Sequence, residues 1–223
     1  MNNKKFVIAT LVAAIAVSAP VAADWTKAAS LLGGDKSAQN GAFEAQDALL
    51  AKFVASSQLV ADAQLLAAKS LKLDELVAKM EAENKAKQGI AVDRIPAITE
   101  NGVALVAGSN KLLNDGVKLD DESKKLYLDA LVQYAAGLVA TKSVVDTAPG
   151  FISSAKDTIS SASITEKLSV TSKLEDGLYI AKELPGYAKS LWETSNVMMS
   201  FAKSNNIEVP ADATKAISDM SFN

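Results

Sequence analysis

Apolar residues return every third or fourth position along most of the chain, the spacing that lays an apolar stripe along one side of a helix. From residue 42 the positions Phe43, Leu49, Leu50, Phe53, Val54, Val60, Ala63, Ala67 and Leu71 keep this spacing for about eight turns and predict the longest element of the protein. Before it, Asp24 is placed to cap a short helix carrying Trp25, Ala28, Leu31 and Leu32, which Gly33-Gly34 should stop; residues 35–41 read as a polar loop. After it, residues 74–88 continue as helix with Leu76, Val77 and Met80 on one side and Gly89 at the end. Glu75 and Lys79, Glu81 and Lys85, and Glu83 and Lys87 are spaced for i, i+4 pairing, which marks a solvated helix face more readily than a docking surface.

Pro96 stands at a first helical position, and Ile98, Leu105, Val106, Leu112 and Leu113 follow at helical spacing up to Asp115-Gly116. Gly102 and Gly108 each cost this helix about 1 kcal/mol relative to alanine, which predicts a close helix crossing. Asp120 should cap the next helix, with Asp121 and Glu122 at its positive pole and Tyr127, Leu128, Leu131, Tyr134, Leu138 and Val145 on its buried face. Two similar strings, Ala148-Pro149-Gly150-Phe151 and Leu184-Pro185-Gly186-Tyr187, are expected to end one helix and open another; shared turn chemistry accounts for them better than a duplication. Between them, Ser163 and Glu166 form a capping box opening a helix with Leu168, Leu174, Leu178, Tyr179 and Ala181. The last long helix follows Pro185 and closes at Asn205-Asn206, and Pro210 starts a short terminal one through Ile217 and Met220.

Composition sharpens this into an all-α reading. Alanine occupies 39 of 223 positions against 16 Gly plus Pro, and no run of sustained alternation suits a strand. The expected architecture is an antiparallel helical bundle of about five to seven helices. It forms one domain over residues 24–223, long enough to bury roughly 70% of its unfolded surface.

Residues 1–23 read as a cleaved secretory signal peptide. Lys4 and Lys5 supply the positive start, an apolar stretch runs from Phe6 to Val17, and Val21-Ala22-Ala23 offers small residues before Asp24. That stretch is shorter than the about 20 residues a bilayer span needs, so cleavage is preferred over a retained anchor. The mature chain is expected to be exported, to the periplasm or the medium, with no membrane span.

With no cysteine and no histidine, disulfides, thiolate or histidine-based catalysis and the usual transition-metal sites are excluded, and no cofactor or metal is expected. Without Lys4 and Lys5 the chain keeps 21 basic against 26 acidic residues, a net charge of −5, and Arg94 is its single arginine. Nucleic acid is therefore not an expected partner. The run Asp120-Asp121-Glu122 lacks the alternation and turn glycine of a calcium loop, so capping explains it better than cation binding.

The expected function is that of a non-enzymatic exported bundle that binds a protein partner or itself. The alternative is a carrier of an apolar, lipid-like molecule held between helices, and a carboxylate-based hydrolase is a remote third. No catalytic residue is assigned. Candidate binding residues are Tyr179, Tyr187, Trp192, Met198, Met199 and Phe201, an aromatic and methionine group of the kind that supplies interface hot spots. Their competing role is core packing, and of the adjacent methionines Met199 is expected to face outward.

Overall fold

The computed structural model describes residues 38–86 and 91–220. These form seven helices and no strand: α1 (Ala38–Ser70), α2 (Asp74–Ala86), α3 (Arg94–Asn114), α4 (Asp121–Ser161), α5 (Ile164–Lys173), α6 (Glu175–Ser204) and α7 (Ala211–Ser218). The predicted signal peptide, the predicted helix after Asp24, Lys87 and Gly89 lie outside the described residues. None of the described helices is long and apolar enough to cross a membrane.

Local chemistry sets most helix ends where the sequence predicts them. The Asp120 carboxylate accepts from the Ser123 N–H at 2.8 Å, and the Glu166 carboxylate accepts from the Ser163 N–H at 3.2 Å. Helix α3 stops at Gly116, whose φ of +68° allows the Val117 N–H to reach back to the Leu112 carbonyl at 3.0 Å. Asn206 does the same for α6 with φ +55°, as the Ile207 N–H bonds the Ala202 carbonyl at 2.9 Å. Lys72 closes α1 in the same left-handed conformation at φ +55°.

Four long helices make the bundle. Helix α1 packs along α4, α4 against α6, α6 against α3, and α3 against α1, while α2 covers α1 and α3 and α7 covers α4 and α6. Directions follow from the contacts. Lys52 bonds Thr147 while Val60 faces Gly137, and Tyr127 reaches Met198 while Tyr134 reaches Leu191, so α4 runs antiparallel to both α1 and α6. Gln58 meets Arg94 and Leu73 meets Gly108, so α1 and α3 run the same way; Gln46 meets Gly177 and Phe53 meets Tyr187, so α6 joins them. The expected antiparallel bundle is corrected accordingly. Three long helices are parallel, because the short α2 serves as the return between α1 and α3.

Tight approaches explain several glycines. A Cβ on Gly137 would lie 2.7 Å from Val60 Cγ2, and one on Gly102 would lie 2.9 Å from Thr194 Oγ1, so α4 meets α1 and α3 meets α6 at van der Waals limits. A Cβ on Gly108 would lie 2.6 Å from Leu73 Cδ1, so that glycine makes room for the Leu73 side chain.

Other expectations are overturned. The longest helix is α4, at 41 residues, and not α1, at 33. Residues 38–41 belong to α1 and are not loop. Pro149 and Pro185 sit inside α4 and α6 and end neither. An interior proline costs about 3 kcal/mol, largely through the hydrogen bond it withholds from the carbonyl four residues earlier. Both prolines face solvent, while Ala148 and Phe151, and Leu184 and Tyr187, stay buried on either flank. The helix expected to run from the capping box to Ala181 is two helices joined at buried Leu174, and Leu168, expected on its packed face, is 82% exposed.

Candidate functional site

The six candidate binding residues all lie on α6, but they do not converge. Tyr179 and Phe201 are 22 positions apart, about 33 Å along a helix. Tyr187, Met198 and Phe201 are buried: the Tyr187 ring packs edge-on against Phe53 at 5.7 Å, and Phe201 lies 5.1 Å from Tyr127, whose hydroxyl donates to the Met198 carbonyl. Trp192 and Met199 are both half-buried against the core, so burial does not separate them, and Tyr179 is exposed.

Two other places break the usual division between an apolar inside and a polar outside. One is the elbow between α4 and α6. Buried Ala162 and Leu174 anchor the two ends of α5, yet no residue of α5 itself is buried, and Ile164 is 91% exposed. Ile164 and Leu168 are one turn apart and form a single outward ridge. The elbow is held from inside by buried Gln46, whose amide donates to the Lys173 carbonyl at 2.9 Å and accepts from the Gly177 N–H at 3.2 Å. One side chain thereby satisfies the end of α5 and the start of α6. A Cβ on Gly177 would fall 2.8 Å from Gln46 Oε1 and 2.7 Å from Phe151 Cζ, so glycine is required there.

The other place is a polar level inside the bundle. Arg94 is only 8% exposed, and its Nη1 donates to Gln58 Oε1 at 2.9 Å; Gln58 in turn donates to Asp62 at 2.8 Å. No carboxylate among the described residues pairs with Arg94 directly, and its Nε–H has no partner there. Asn101, two turns further along α3, is 6% exposed; its amide donates to Glu83 Oε2 at 2.9 Å while its own oxygen is unpartnered. Gln64 donates to the Ile98 carbonyl and leaves its oxygen unpartnered, as does the buried Tyr187 hydroxyl. Between α1, α2 and α3, Arg94 and Asn101 line a small cleft of about 20 Å³ together with Glu83 and Asn84, over an apolar wall of Ala61, Ala97 and Ile98.

Charge at the two places responds to its surroundings. Burial raises the Asp62 pKa above its ordinary value, against the hydrogen bond from Gln58 and the nearby Arg94 charge. Burial also raises the Tyr134 and Tyr187 hydroxyls, which stay neutral. The carboxylates shifted downward have structural tasks: Asp120 is lowered by Lys72 and its capping bonds, Glu81 by Lys69, and Glu166 by Ser163. On α2, Lys79 pairs with Glu83 at 3.8 Å and Glu100 at 3.2 Å, and Lys69 with Glu81 at 2.8 Å, so its charges fasten it to α1 and α3. No group of three or more acidic residues among the described residues is arranged to hold a metal ion.

The α3 cleft was legible in one respect. Arg94, Ile98, Asn101, Leu105 and Ser109 share one helical stripe, so polar residues interrupt an otherwise apolar face. No protein-family model, curated protein or solved structure matches the chain.

Proposed function

We propose that the protein is an exported, non-enzymatic binding protein, and that its contact surface is the Ile164–Leu168 ridge of α5 and not the aromatic stripe of α6. The observation that carries this reading is the 91% and 82% exposure of two large aliphatic side chains one turn apart on a helix fixed at both ends. Leaving such side chains in water forgoes about 1.5–3 kcal/mol each, a loss that binding recovers. The partner is a protein with an apolar groove. A short convex ridge presents i, i+4 anchors of the helix-in-groove kind, and a ten-residue helix is too short for the flat contact of about 1,000 Å² that a stable homodimer needs. The structural roles of the shifted carboxylates favour binding over hydrolysis, and Tyr187, Met198 and Phe201, as core, are not free to line a lipid cavity.

Partner capture from the native compartment, with the wild type and an Ile164→Glu/Leu168→Glu variant followed by native mass spectrometry, tests this. The wild type should retain a protein that the variant loses while both keep the same melting temperature. A wild type and variant with identical captured species, or a wild type that forms only a homodimer, would refute the groove reading.

A further inference from the structure

We propose that the outward stripe of α4 pairs with the same stripe of a second copy of the chain, antiparallel, about a two-fold axis that passes between residues 135 and 136. The inference is independent of the α5 ridge. Between residues 125 and 146 of α4 the charged residues at exposed positions are Lys125, Asp129, Lys142 and Asp146. The middle of the stripe is apolar: Val132 is 41% exposed, Val139 is 53% exposed, and Ala136 lies exposed between them. These residues follow one another at steps of three or four and so line one side of the helix over about 30 Å. That is about twice the length of the ten-residue α5.

The order of the stripe is self-complementary. In an antiparallel pair of helices related by a two-fold axis, each residue stands level with the residue of the second copy that is equally far from the axis on the other side. With the axis between 135 and 136, Val132 meets Val139 of the second copy, Asp129 meets Lys142, and Lys125 meets Asp146. Every match is apolar with apolar or acid with base, and the symmetry makes each of them twice. The charges also exclude neighbouring registers. An axis two residues away on one side sets Asp129 level with Asp146, and on the other side Lys125 level with Lys142, like charge against like. Lys125 and Asp129 form no ion pair among the described residues, and the Lys142–Asp146 pair, at 3.4 Å, is exposed on both sides and weak enough to be shared. Ala136, beside the axis, is small enough to let the two helices approach closely. A strip of this length and about 10 Å wide falls short of the about 800 Å² per partner of a standard interface, so the dimer is a weak one, with a dissociation constant on the order of 10–100 µM.

Sedimentation equilibrium of the purified protein from about 1 to 500 µM tests the assignment. A monomer–dimer equilibrium should appear, at least threefold weaker at about 0.5 M salt than at about 0.05 M. Val139→Glu, at an exposed position, should weaken dimerisation tenfold or more with an unchanged melting temperature. Asp129→Lys and Lys142→Asp read the register. Each alone sets like charges against each other twice across the axis and should dimerise at least tenfold more weakly than the wild type. An equimolar mixture of the two restores both matches and should dimerise as the wild type does. The Ile164→Glu/Leu168→Glu variant, which removes the α5 ridge, should also dimerise as the wild type does. A wild type that stays monomeric throughout, a dimer that Val139→Glu leaves intact, or charge variants that associate no better mixed than alone would overturn the proposal. A dimer lost in the ridge variant would do the same, by placing self-association at α5.

Discussion

The α5 elbow and the Arg94 level are inversions of one another. At the elbow, two large aliphatic side chains stand in water on a helix with no buried residue; at the Arg94 level, an arginine, two amides and a tyrosine hydroxyl are withdrawn into the bundle with polar atoms left over. The elbow tolerates its exposure because its stability comes from elsewhere. Leu174, Ala162 and Phe151 are buried beneath it, and Gln46 closes both helix ends. The Arg94 level tolerates its polarity because only part of it is unsatisfied, with Gln58, Glu83 and the Ile98 carbonyl taking the remaining bonds. Apolar surface outside and polar surface inside are both costs to folding.

The largest expected effect separates the ridge from its foundation. Phe151→Ala should destabilise the protein by about 3–5 kcal/mol, whereas Leu168→Ala should change stability by less than about 0.5 kcal/mol. Denaturant titration of the two variants reads this directly. If Leu168→Ala costs as much as Phe151→Ala, the ridge is packed and the contrast fails.

A smaller effect probes how closely the polar level is packed. Gly102→Val pushes a side chain toward Thr194 and Gln64 and should cost about 1–3 kcal/mol. Gly150→Ala, at a helical position with open space around it, should instead gain up to about 1 kcal/mol from helix propensity. Thermal melts of the pair at one pH measure the difference, and equal effects would mean that Thr194 and Gln64 yield without cost.

The smallest effects are in the pH dependence, where the signs differ. Asp120 has a folded pKa below its unfolded value of about 3.9, so its contribution is fully present above that value and is lost as pH falls below it. The melting-temperature deficit of Asp120→Asn should therefore be constant at neutral pH and shrink in acid. Asp62 has a raised folded pKa, so the protein loses stability as pH rises from about 3.9 through that value. Asp62→Asn should remove that loss, and melts between pH 3 and 7, a range chosen on the order of these pKa values, distinguish the two slopes.

Helix identity and most helix ends were legible because they depend on contacts within one or two turns. Asp120 with Ser123, Ser163 with Glu166, Gly116 in its left-handed turn and the apolar stripes of α1 and α4 are each local arrangements of residues close in sequence. Pro149 and Pro185 misled because a local rule assigns them a helix break, whereas burial of Phe151 and Tyr187 against distant helices holds each helix together through the proline. The outward turn of Leu168, the parallel course of α1, α3 and α6, and the meeting of Arg94, Asn101 and Glu83 at one cleft depend on pairs separated by tens of residues. Periodicity says which residues share a face of a helix; only the packing of helix on helix decides what that face meets.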